Sequence, residues 1–215
     1  MEKLVKVETE TAVLEGKLNI PQGPIGLVIF AHGSGSSHLS PRNAFVANEL
    51  QQTNLATLLI DLLTEVEDLE REVRFDIEFI TKRLMAIIKW AQVQTEIRLL
   101  PIGLFGASTG TAAALIAAAR LPTVVRAIVS RGGRPDLAMR YLNKVTAPTL
   151  LIVGGEDYDV IALNEQAHAR LNGIKLMELI AGATHLFEEP GSLKQVAELA
   201  ASWFYRYLHL EKAYI

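Results

Sequence analysis

The sequence predicts an α/β fold in which helices cover both faces of a mainly parallel β-sheet. Short, continuous apolar runs recur along the 215 residues, and strands buried on both faces of a parallel sheet have this composition. Segments with helical periodicity separate these runs, and strands that alternate with helices form right-handed crossover connections. We therefore expect one domain over residues 1–215, which is long enough to bury a single sizeable core.

The predicted strands begin with two edge strands, at residues 4–10 and 13–20, before Pro21. The first continuous apolar run is Gly26–Ala31, which a glycine follows at position 33. Further runs of this kind are at residues 56–62, 97–104, 124–129, 149–153 and 175–180. Ligands bind beyond the carboxyl ends of the strands in such sheets, so the loops that leave those ends are where we expect a site.

Helix signals lie between the runs. Ser40 followed by Pro41 predicts an N-cap and the first residue of a helix that extends to about residue 52. Thr64 begins a capping-box pattern, and apolar residues from 73 to 91 step by three and four along one stripe. The charge-rich stretch within residues 64–75 is interpreted either as the solvated start of this helix or as a mobile flap over the site.

Three more helices are predicted in the second half of the chain. An alanine-rich helix spans residues 109–121 and is stopped by Pro122. A helix over residues 160–172 is followed by Gly173, which we predict as its C′ glycine. Ser192 and Gln195 form a second capping-box pattern at the start of the last helix.

Composition and charge exclude several classes of partner. A net charge of −3 argues against nucleic acid and anionic membranes as partners. No apolar run approaches the roughly 20 residues that cross a bilayer, and the first eight residues carry charges where a signal peptide is apolar. We therefore expect a cytoplasmic protein. The chain has no cysteine, which excludes disulfides, thiolate metal sites and a cysteine nucleophile.

The most informative motif is a G-x-S-x-G sequence at residues 106–110, with Ser108 at its centre. It follows a buried apolar run and opens the alanine-rich helix, and this strand–turn–helix context is what a nucleophile elbow requires. Glycines at both ends of the motif avoid collisions with neighbouring backbone in the strained turn. The alternative is a glycine-rich turn in which the serine only caps the helix.

A serine nucleophile needs a base, and His185 is the candidate because its loop follows the last predicted strand. The other four histidines lie in a polar helix, the C-terminal tail, a serine-rich loop and the end of the third strand (His168, His209, His38 and His32). Asp157 follows another apolar run and is the predicted orienting acid. Asp159 is the alternative acid, although it suits helix capping. The order Ser, Asp, His is that of α/β-hydrolases.

Acyl transfer also requires donors for the oxyanion that forms in the transition state. The backbone N–H of Thr109 is one predicted donor, since it follows the nucleophile, and the N–H of Ser34 is the second. His32 is expected to hold the Ser34 loop through hydrogen bonds. A phosphate-binding loop is a weak alternative here, because the segment lacks the lysine of a P-loop.

Together, these motifs resemble those of the α/β-hydrolase superfamily, and more closely its dienelactone hydrolase-like branch. The resemblance rests on residues 32–37 with 40–43, 106–110, 154–157 and 182–185, and it extends over nearly the whole chain. It implies a twisted sheet of about eight strands, an acyl-enzyme mechanism and no cofactor. Dienelactone hydrolases use a cysteine nucleophile, so the serine at 108 favours a general carboxylesterase of small esters or lactones.

Several questions stay open at this stage. The segment after the sixth strand is too short for a cap domain, which argues against a lipase. Arg42, Arg131 and Arg134 are candidates for pairing with a substrate carboxylate, or are ordinary surface arginines. Asp61 either faces the site or caps a turn. Functional alternatives are an acyltransferase or thioesterase with the same triad, and a ligand-binding protein on a hydrolase scaffold.

Overall fold

The computed structural model describes residues 1–209, whose eight strands form one sheet in the order β1-β2-β4-β3-β5-β6-β7-β8. The strands from β3 to β8 pair in parallel, whereas β2 is antiparallel to both β1 and β4. The strands are β1 (Glu2–Glu8), β2 (Val13–Asn19), β3 (Gly26–Ala31), β4 (Leu55–Ile60), β5 (Ile102–Ala107), β6 (Val125–Arg131), β7 (Thr149–Gly154) and β8 (Lys175–Ile180). This architecture confirms the predicted α/β-hydrolase fold.

Helices cover both faces of the sheet. They are α1 (Pro41–Gln52), α2 (Glu65–Leu69), α3 (Arg71–Arg74), α4 (Ile77–Ala91), α5 (Thr109–Arg120), α6 (Tyr158–Arg170) and α7 (Ser192–Leu208). Residues alternate along β3, so that Ile29 packs in the cluster with α4 and α5, while Phe30 packs in the cluster with α1 and α7. Each face of the sheet therefore has its own apolar core.

The connection between β6 and β7 is short. It contains two 3₁₀ turns, Pro135–Ala138 and Leu142–Lys144, so no cap domain is inserted there in the described part of the chain. None of the helices within residues 1–209 combines the length and apolar composition that a membrane-spanning segment needs.

Two strand predictions are corrected by the structure. The strand β2 is not an edge strand, because β4 pairs with its other side. The strand predicted at 97–104 begins only at Ile102, because the preceding residues turn. There the N–H groups of Ile97 and Leu100 donate to carbonyls three residues earlier, at 3.1 and 3.0 Å, and Pro101 follows.

The helix predictions were accurate at α1 and at the Thr64–Glu67 capping box, and wrong at three other ends. The stripe predicted over 73–91 is broken, because the Asp76 carboxylate accepts a bond from the Phe79 N–H at 2.9 Å and begins a new helix. Gly173 is not a C′ residue, since α6 ends at Arg170. The Lys175 ammonium instead binds carbonyls of its last turn, at 2.6 and 2.7 Å. Ser192 is not an N-cap, because Gly191 takes that position with a φ of 84°.

Candidate active site

Ser108 lies in a sharp turn between β5 and α5, as the G-x-S-x-G motif predicts. Its φ of 49° and ψ of −123° are unfavourable for a residue with a side chain, so the surrounding structure must hold it there. The two glycines explain how the turn fits. A methyl group at Gly106 would lie 2.5 Å from the Thr111 Cα, and one at Gly110 would lie 2.1 Å from the Ala31 carbonyl oxygen.

Two loops approach Ser108. The loop after β3 is so close that a methyl group at Gly33 would lie 2.9 Å from the Ser108 Cβ and 3.6 Å from its Oγ. The loop after β6 fixes the serine backbone: the Ser108 N–H donates to the Arg131 carbonyl at 3.3 Å, and the Arg134 N–H donates to the Ser108 carbonyl at 3.0 Å. The position of the hydroxyl is thus set by three strand ends.

His185 and Asp157 form a hydrogen-bonded pair. The distance from His185 Nδ1 to Asp157 Oδ2 is 2.6 Å. Asp157 occupies the N-cap position of α6, yet its side chain makes no capping bond there and binds the imidazole instead. Asp159, the alternative acid, is exposed in the first turn of the same helix.

The imidazole of His185 lies against the loop that holds Ser108. A methyl group at Gly132, which has a φ of 52°, would lie 3.5 Å from His185 Cε1 and 3.1 Å from the His185 carbonyl oxygen. Among residues 1–209, no hydrogen bond joins the Ser108 hydroxyl to this imidazole. Bonds between a nucleophile and its base often tighten only in the substrate complex. The structure therefore brings Asp157 and His185 into contact. It also places His185 against Gly132, whose neighbours Arg131 and Arg134 bind the Ser108 backbone.

The two predicted oxyanion donors differ in whether their N–H groups are free to bind a substrate oxygen. The N–H of Thr109 opens α5, and no acceptor for it occurs in the described chain, so it is available at the positive end of the helix. The N–H of Ser34 instead donates to the Thr109 Oγ1 at 3.0 Å. Ser34 is thus not an available donor in this conformation, because a neighbouring hydroxyl already accepts its hydrogen.

His32 holds the loop after β3, as the sequence predicts. Its Nε2 accepts from the Leu62 N–H at 3.0 Å, and its Nδ1 lies 3.0 Å from the Gly33 carbonyl oxygen. Both contacts suit a neutral imidazole that is protonated at Nδ1. Burial lowers the pKa of His32, which favours the same neutral form.

A second histidine–carboxylate pair was missed by sequence reasoning. Asp61 accepts from the backbone N–H of His38 at 2.6 Å, and its other oxygen lies 2.7 Å from the His38 Nδ1. Asp61 thus holds His38, which neither interpretation of this residue predicted. The only sequence signal was a carboxylate at the carboxyl end of β4, and nothing local pointed to its partner.

Residues 64–75 form α2 and α3 and pack on the loop after β3. The Ser34 hydroxyl donates to the Arg74 carbonyl at 3.1 Å, and the Gly35 N–H donates to Asp68 at 3.3 Å. Arg74 and Asp68 also form an ion pair with each other at 3.3 Å. The segment is therefore more than the start of α4, and it supports the Ser34 loop directly.

The three candidate arginines have different environments. Arg134 is engaged by both oxygens of Asp136, at 2.8 Å each, and this pairing raises the pKa of Arg134. Arg42 Nη1 donates to Glu188 at 3.1 Å. Arg131 is only 9% exposed, and no acceptor for its guanidinium occurs within residues 1–209. Burial, with a further contribution from Arg42, lowers the pKa of Arg131 to about 10.

No group of three or more histidine, aspartate or glutamate side chains within residues 1–209 has an arrangement suited to a metal ion. The polar groups near Ser108 are one imidazole, one carboxylate that accepts from it, and one backbone N–H donor. This set is suited to proton transfer and to stabilising a negative oxygen.

Comparison with known proteins identifies clear relatives. The model of the Dienelactone hydrolase family matches residues 66–214. The crystal structure of a dienelactone hydrolase from Anabaena variabilis is 53% identical, with a TM-score of 0.94 over 97% of this chain and 98% of that one. A lidless α/β serine hydrolase from Xanthomonas campestris is 16% identical, with a TM-score of 0.79 over 98% of this chain and 96% of that one, a likeness in fold alone.

Two curated proteins from Mycobacterium tuberculosis, from strains CDC 1551 and H37Rv, carry the provisional name phosphoribosyl transferase. Each is 52% identical over 204 residues, which is 95% of this chain. The match covers 46% of either protein, so the chain spans less than half the length of these relatives.

Proposed function

Because the chain belongs to the dienelactone hydrolase family, we propose that it is a serine hydrolase of small carboxylic esters or lactones. Ser108 is the proposed nucleophile, His185 the base and Asp157 the orienting acid. Family membership supports hydrolase activity in general, and the three residues define how this chain performs it.

One observation carries the proposal: the His185 imidazole is bound at Nδ1 by Asp157 at 2.6 Å and packs beside the loop that fixes Ser108. A carboxylate at Nδ1 selects the tautomer whose Nε2 is able to accept a proton, and it stabilises the imidazolium that results. The strained backbone at Ser108, with φ at 49°, exposes the hydroxyl at the turn that precedes α5.

The reaction has two halves. Ser108 Oγ attacks the acyl carbon as His185 Nε2 takes the hydroxyl proton, and His185 then gives that proton to the departing alcohol. Water next attacks the acyl-enzyme, and His185 accepts a proton from that water. The ester bond to Ser108 breaks, the acid leaves, and the proton returns to the serine oxygen.

Negative charge on the carbonyl oxygen is stabilised by backbone donors. The Thr109 N–H is the first proposed donor, and its place at the start of α5 adds the positive end of the helix. Ser34 is the second. Its N–H becomes available if the Thr109 hydroxyl, which now accepts from it at 3.0 Å, turns away.

The short β6–β7 connection bears on the substrate. Without a cap in the described chain, little surface is available to enclose a long acyl chain, which favours small esters and lactones over lipids. The serine nucleophile favours ordinary carboxylic esters over dienelactone itself. The phosphoribosyl transferase name does not bear on the proposal. This chain matches only 46% of either relative, and the chain itself belongs to a hydrolase family.

Replacement of the nucleophile tests the proposal. Ser108→Ala removes the attacking oxygen, so hydrolysis of 4-nitrophenyl acetate should fall by roughly 10⁴-fold or more in kcat/KM. Ser202→Ala, which alters an exposed serine of α7, is the matched control and should keep the wild-type rate. Intact-mass analysis after treatment with a fluorophosphonate should show one adduct on the wild type and none on Ser108→Ala.

Two outcomes would contradict the proposal. If Ser108→Ala retained the activity of Ser202→Ala, the nucleophile would lie elsewhere. If the wild type took up no fluorophosphonate and cleaved no ester or thioester, the chain would be a binding protein on a hydrolase scaffold. Product analysis in the presence of added alcohols separates hydrolysis from acyl transfer.

A further inference from the structure

We propose that Arg83 and Glu67 are positioning residues for acyl transfer. Their ion pair holds residues 64–75 against the loop after β3, and it thereby sets the position of the Ser34 N–H, the second proposed oxyanion donor. The inference deepens the proposed function and rests on it, because the Ser34 N–H has this role only if the chain transfers acyl groups.

Apolar packing holds residues 64–75 only weakly. None of the residues of α2 and α3 is fully buried, and the side chains of Val66 and Leu69 are 70% and 81% exposed. Val73 packs against the core, although it is only partly buried. Because apolar burial is the main favourable contribution to folding, the position of this segment depends on its polar contacts.

The ion pair of Arg83 with Glu67 joins this segment to α4. Arg83 Nη2 lies 2.6 Å from Glu67 Oε1, and the Arg83 side chain is only 3% exposed. The guanidinium also packs over the Phe79 ring, 4.8 Å from its centre. The other carboxylate oxygen of Glu67 accepts the Thr64 N–H at 2.8 Å. One side chain therefore connects the cap of α2 to the buried face of α4.

Asp68, the next residue in the chain, contacts the loop after β3. Its Oδ1 accepts the Gly35 N–H at 3.3 Å, and it lies 3.3 Å from Arg74 Nε. The Arg74 carbonyl in turn accepts the Ser34 hydroxyl at 3.1 Å. Consecutive residues of α2 thus bind α4 on one side and the oxyanion loop on the other, so a shift of the first contact displaces the second.

The loop needs these contacts most when a substrate is bound. In this structure the Ser34 N–H donates to Thr109 Oγ1 at 3.0 Å, and a substrate oxygen would replace that acceptor. The bond to Thr109 then no longer holds the loop. His32 still anchors the start of the loop, and residues 64–75 anchor its middle. A donor that is already fixed stabilises developing charge without the cost of rearrangement.

Stability alone explains this ion pair poorly. A buried ion pair is often no more stabilising than apolar side chains of similar volume, because both charges lose their hydration. Arg83 Nη1 is also buried, and it has no acceptor within residues 1–209. What a charged hydrogen bond adds is a defined orientation of its two partners, and here those partners lie on α2 and α4.

Replacement of the arginine separates positioning from stability. Arg83→Met keeps an apolar side chain over Phe79 and removes the buried charge, while Glu67, 24% exposed, is left to be solvated. The Tm should therefore stay within about 3 °C of the wild type. The kcat/KM for 4-nitrophenyl acetate should nevertheless fall about tenfold, which is part of the roughly 10²- to 10³-fold that one oxyanion donor contributes. Arg83→Lys retains the charge and should keep most of the wild-type rate.

A double-mutant cycle tests the route through the loop. Glu67→Gln keeps an acceptor for the Thr64 N–H and so removes the charge alone. Glu67→Gln and Asp68→Asn should each lower kcat/KM about tenfold. Because both act on the same loop, the double variant should lose little more than either single variant, whereas independent effects would multiply. Glu65→Gln, which alters an exposed carboxylate of the same helix, is the control and should keep the wild-type rate.

A transition-state analogue reports on the oxyanion site directly. Phenylboronic acid forms a tetrahedral adduct with a serine nucleophile, and one boronate oxygen takes the position of the oxyanion. Its inhibition constant should rise in Arg83→Met by about the factor by which kcat/KM falls, because analogue and transition state use the same donors. A side chain with a structural role alone would change Tm and leave this constant unchanged.

Two results would overturn the inference. One is an Arg83→Met variant that folds and keeps both the wild-type kcat/KM and the wild-type inhibition constant. The other, which needs no change at Arg83, is a double variant in which the losses from Glu67→Gln and Asp68→Asn multiply. In either case, Ser108-dependent hydrolysis by the wild type would leave the proposed function intact, whereas its absence would remove the foundation of both proposals.

Discussion

Two histidine–aspartate pairs within residues 1–209 have nearly the same local geometry. His185 Nδ1 lies 2.6 Å from Asp157, and His38 Nδ1 lies 2.7 Å from Asp61. The two carboxylates follow β7 and β4, and each of these strands is separated from β5 by one strand of the sheet. The pairs therefore flank the Ser108 elbow from opposite sides.

Their surroundings differ. The His38 side chain is 14% exposed, and Asp61 also accepts the backbone N–H of His38, so this carboxylate fixes a loop. The His185 side chain is 39% exposed, and its ring packs against Gly132, between the two residues whose backbones bind Ser108. A hydrogen-bonded imidazole and carboxylate are thus not diagnostic of catalysis. Contact with Gly132, whose neighbours Arg131 and Arg134 bind the Ser108 backbone, distinguishes the pair we propose as catalytic.

Removal of each imidazole should give the largest difference between the pairs. His185→Ala deletes the proposed base, so kcat/KM for 4-nitrophenyl acetate should fall by roughly 10⁴-fold or more. His38→Ala loosens a loop without removing a reacting group, and its rate should stay within about tenfold of the wild type. Steady-state kinetics on both variants provides the comparison. Equal losses would mean that the wrong pair has been assigned to catalysis.

Replacement of each carboxylate by its amide should separate the pairs in a second way. Asp157→Asn favours the wrong tautomer of His185, and kcat should fall by roughly 10³- to 10⁴-fold. Asp61→Asn removes one charged acceptor from His38, which should reduce the free energy of unfolding by about 1–2 kcal/mol and lower Tm by a few degrees. Melting curves and steady-state kinetics on both variants should show a mainly kinetic loss in Asp157→Asn and a mainly thermal loss in Asp61→Asn. A larger kinetic loss in Asp61→Asn would reverse the assignment.

A third imidazole sharpens the comparison through pH. Burial lowers the pKa of His32, with Asp61 and Asp68 opposing the shift, so His32 stays neutral in the folded chain at pH values where the unfolded chain protonates it. Its contribution to stability is complete above the unfolded pKa of about 6.5 and is lost as the pH falls below that value. At pH 5.5, one unit below the unfolded pKa, this loss has an upper limit of about 1.4 kcal/mol.

His32→Gln isolates this contribution, because glutamine offers the Leu62 N–H an acceptor that does not titrate in this range. The fall in Tm between pH 7.5 and 5.5 should be smaller in the variant than in the wild type. An identical fall in both proteins would show that another group causes the acid sensitivity.

Local signals predicted most of the fold. The runs at β3 and β8 and the cap of α1 were found with the correct bounds, because an apolar run, a serine and a proline each act within a few residues. The strand predicted at 97–104 failed because apolar residues also occur in turns, where Leu99 is 80% exposed, and composition alone does not separate a turn from a strand. The break at Asp76, before α4, was not predicted because the apolar stripe of residues 73–91 continues through it.

The placement of the candidate residues at strand ends was predictable wherever a motif specified it. Ser108, Asp157 and His185 follow strand ends in a known order, and strand ends converge in a parallel sheet. Contacts that depend on tertiary structure were not predictable. The pairing of Asp61 with His38 requires β4 to lie beside β3, and the occupied N–H of Ser34 depends on the rotamer of Thr109. The missing partner of Arg131 is visible only when every neighbouring acceptor is known.

The close approach of Gly110 to β3 has a consequence for how this active site tolerates change. The first turn of α5 rests directly on the backbone of Ala31, with no room for even one methyl group between them. The Thr109 amide is able to lie this close to the end of β3 only because Gly110 has no Cβ. Any larger residue at 110 would push the helix outward and should abolish the proposed hydrolysis by displacing the Thr109 amide, although Ser108, Asp157 and His185 would all still be present.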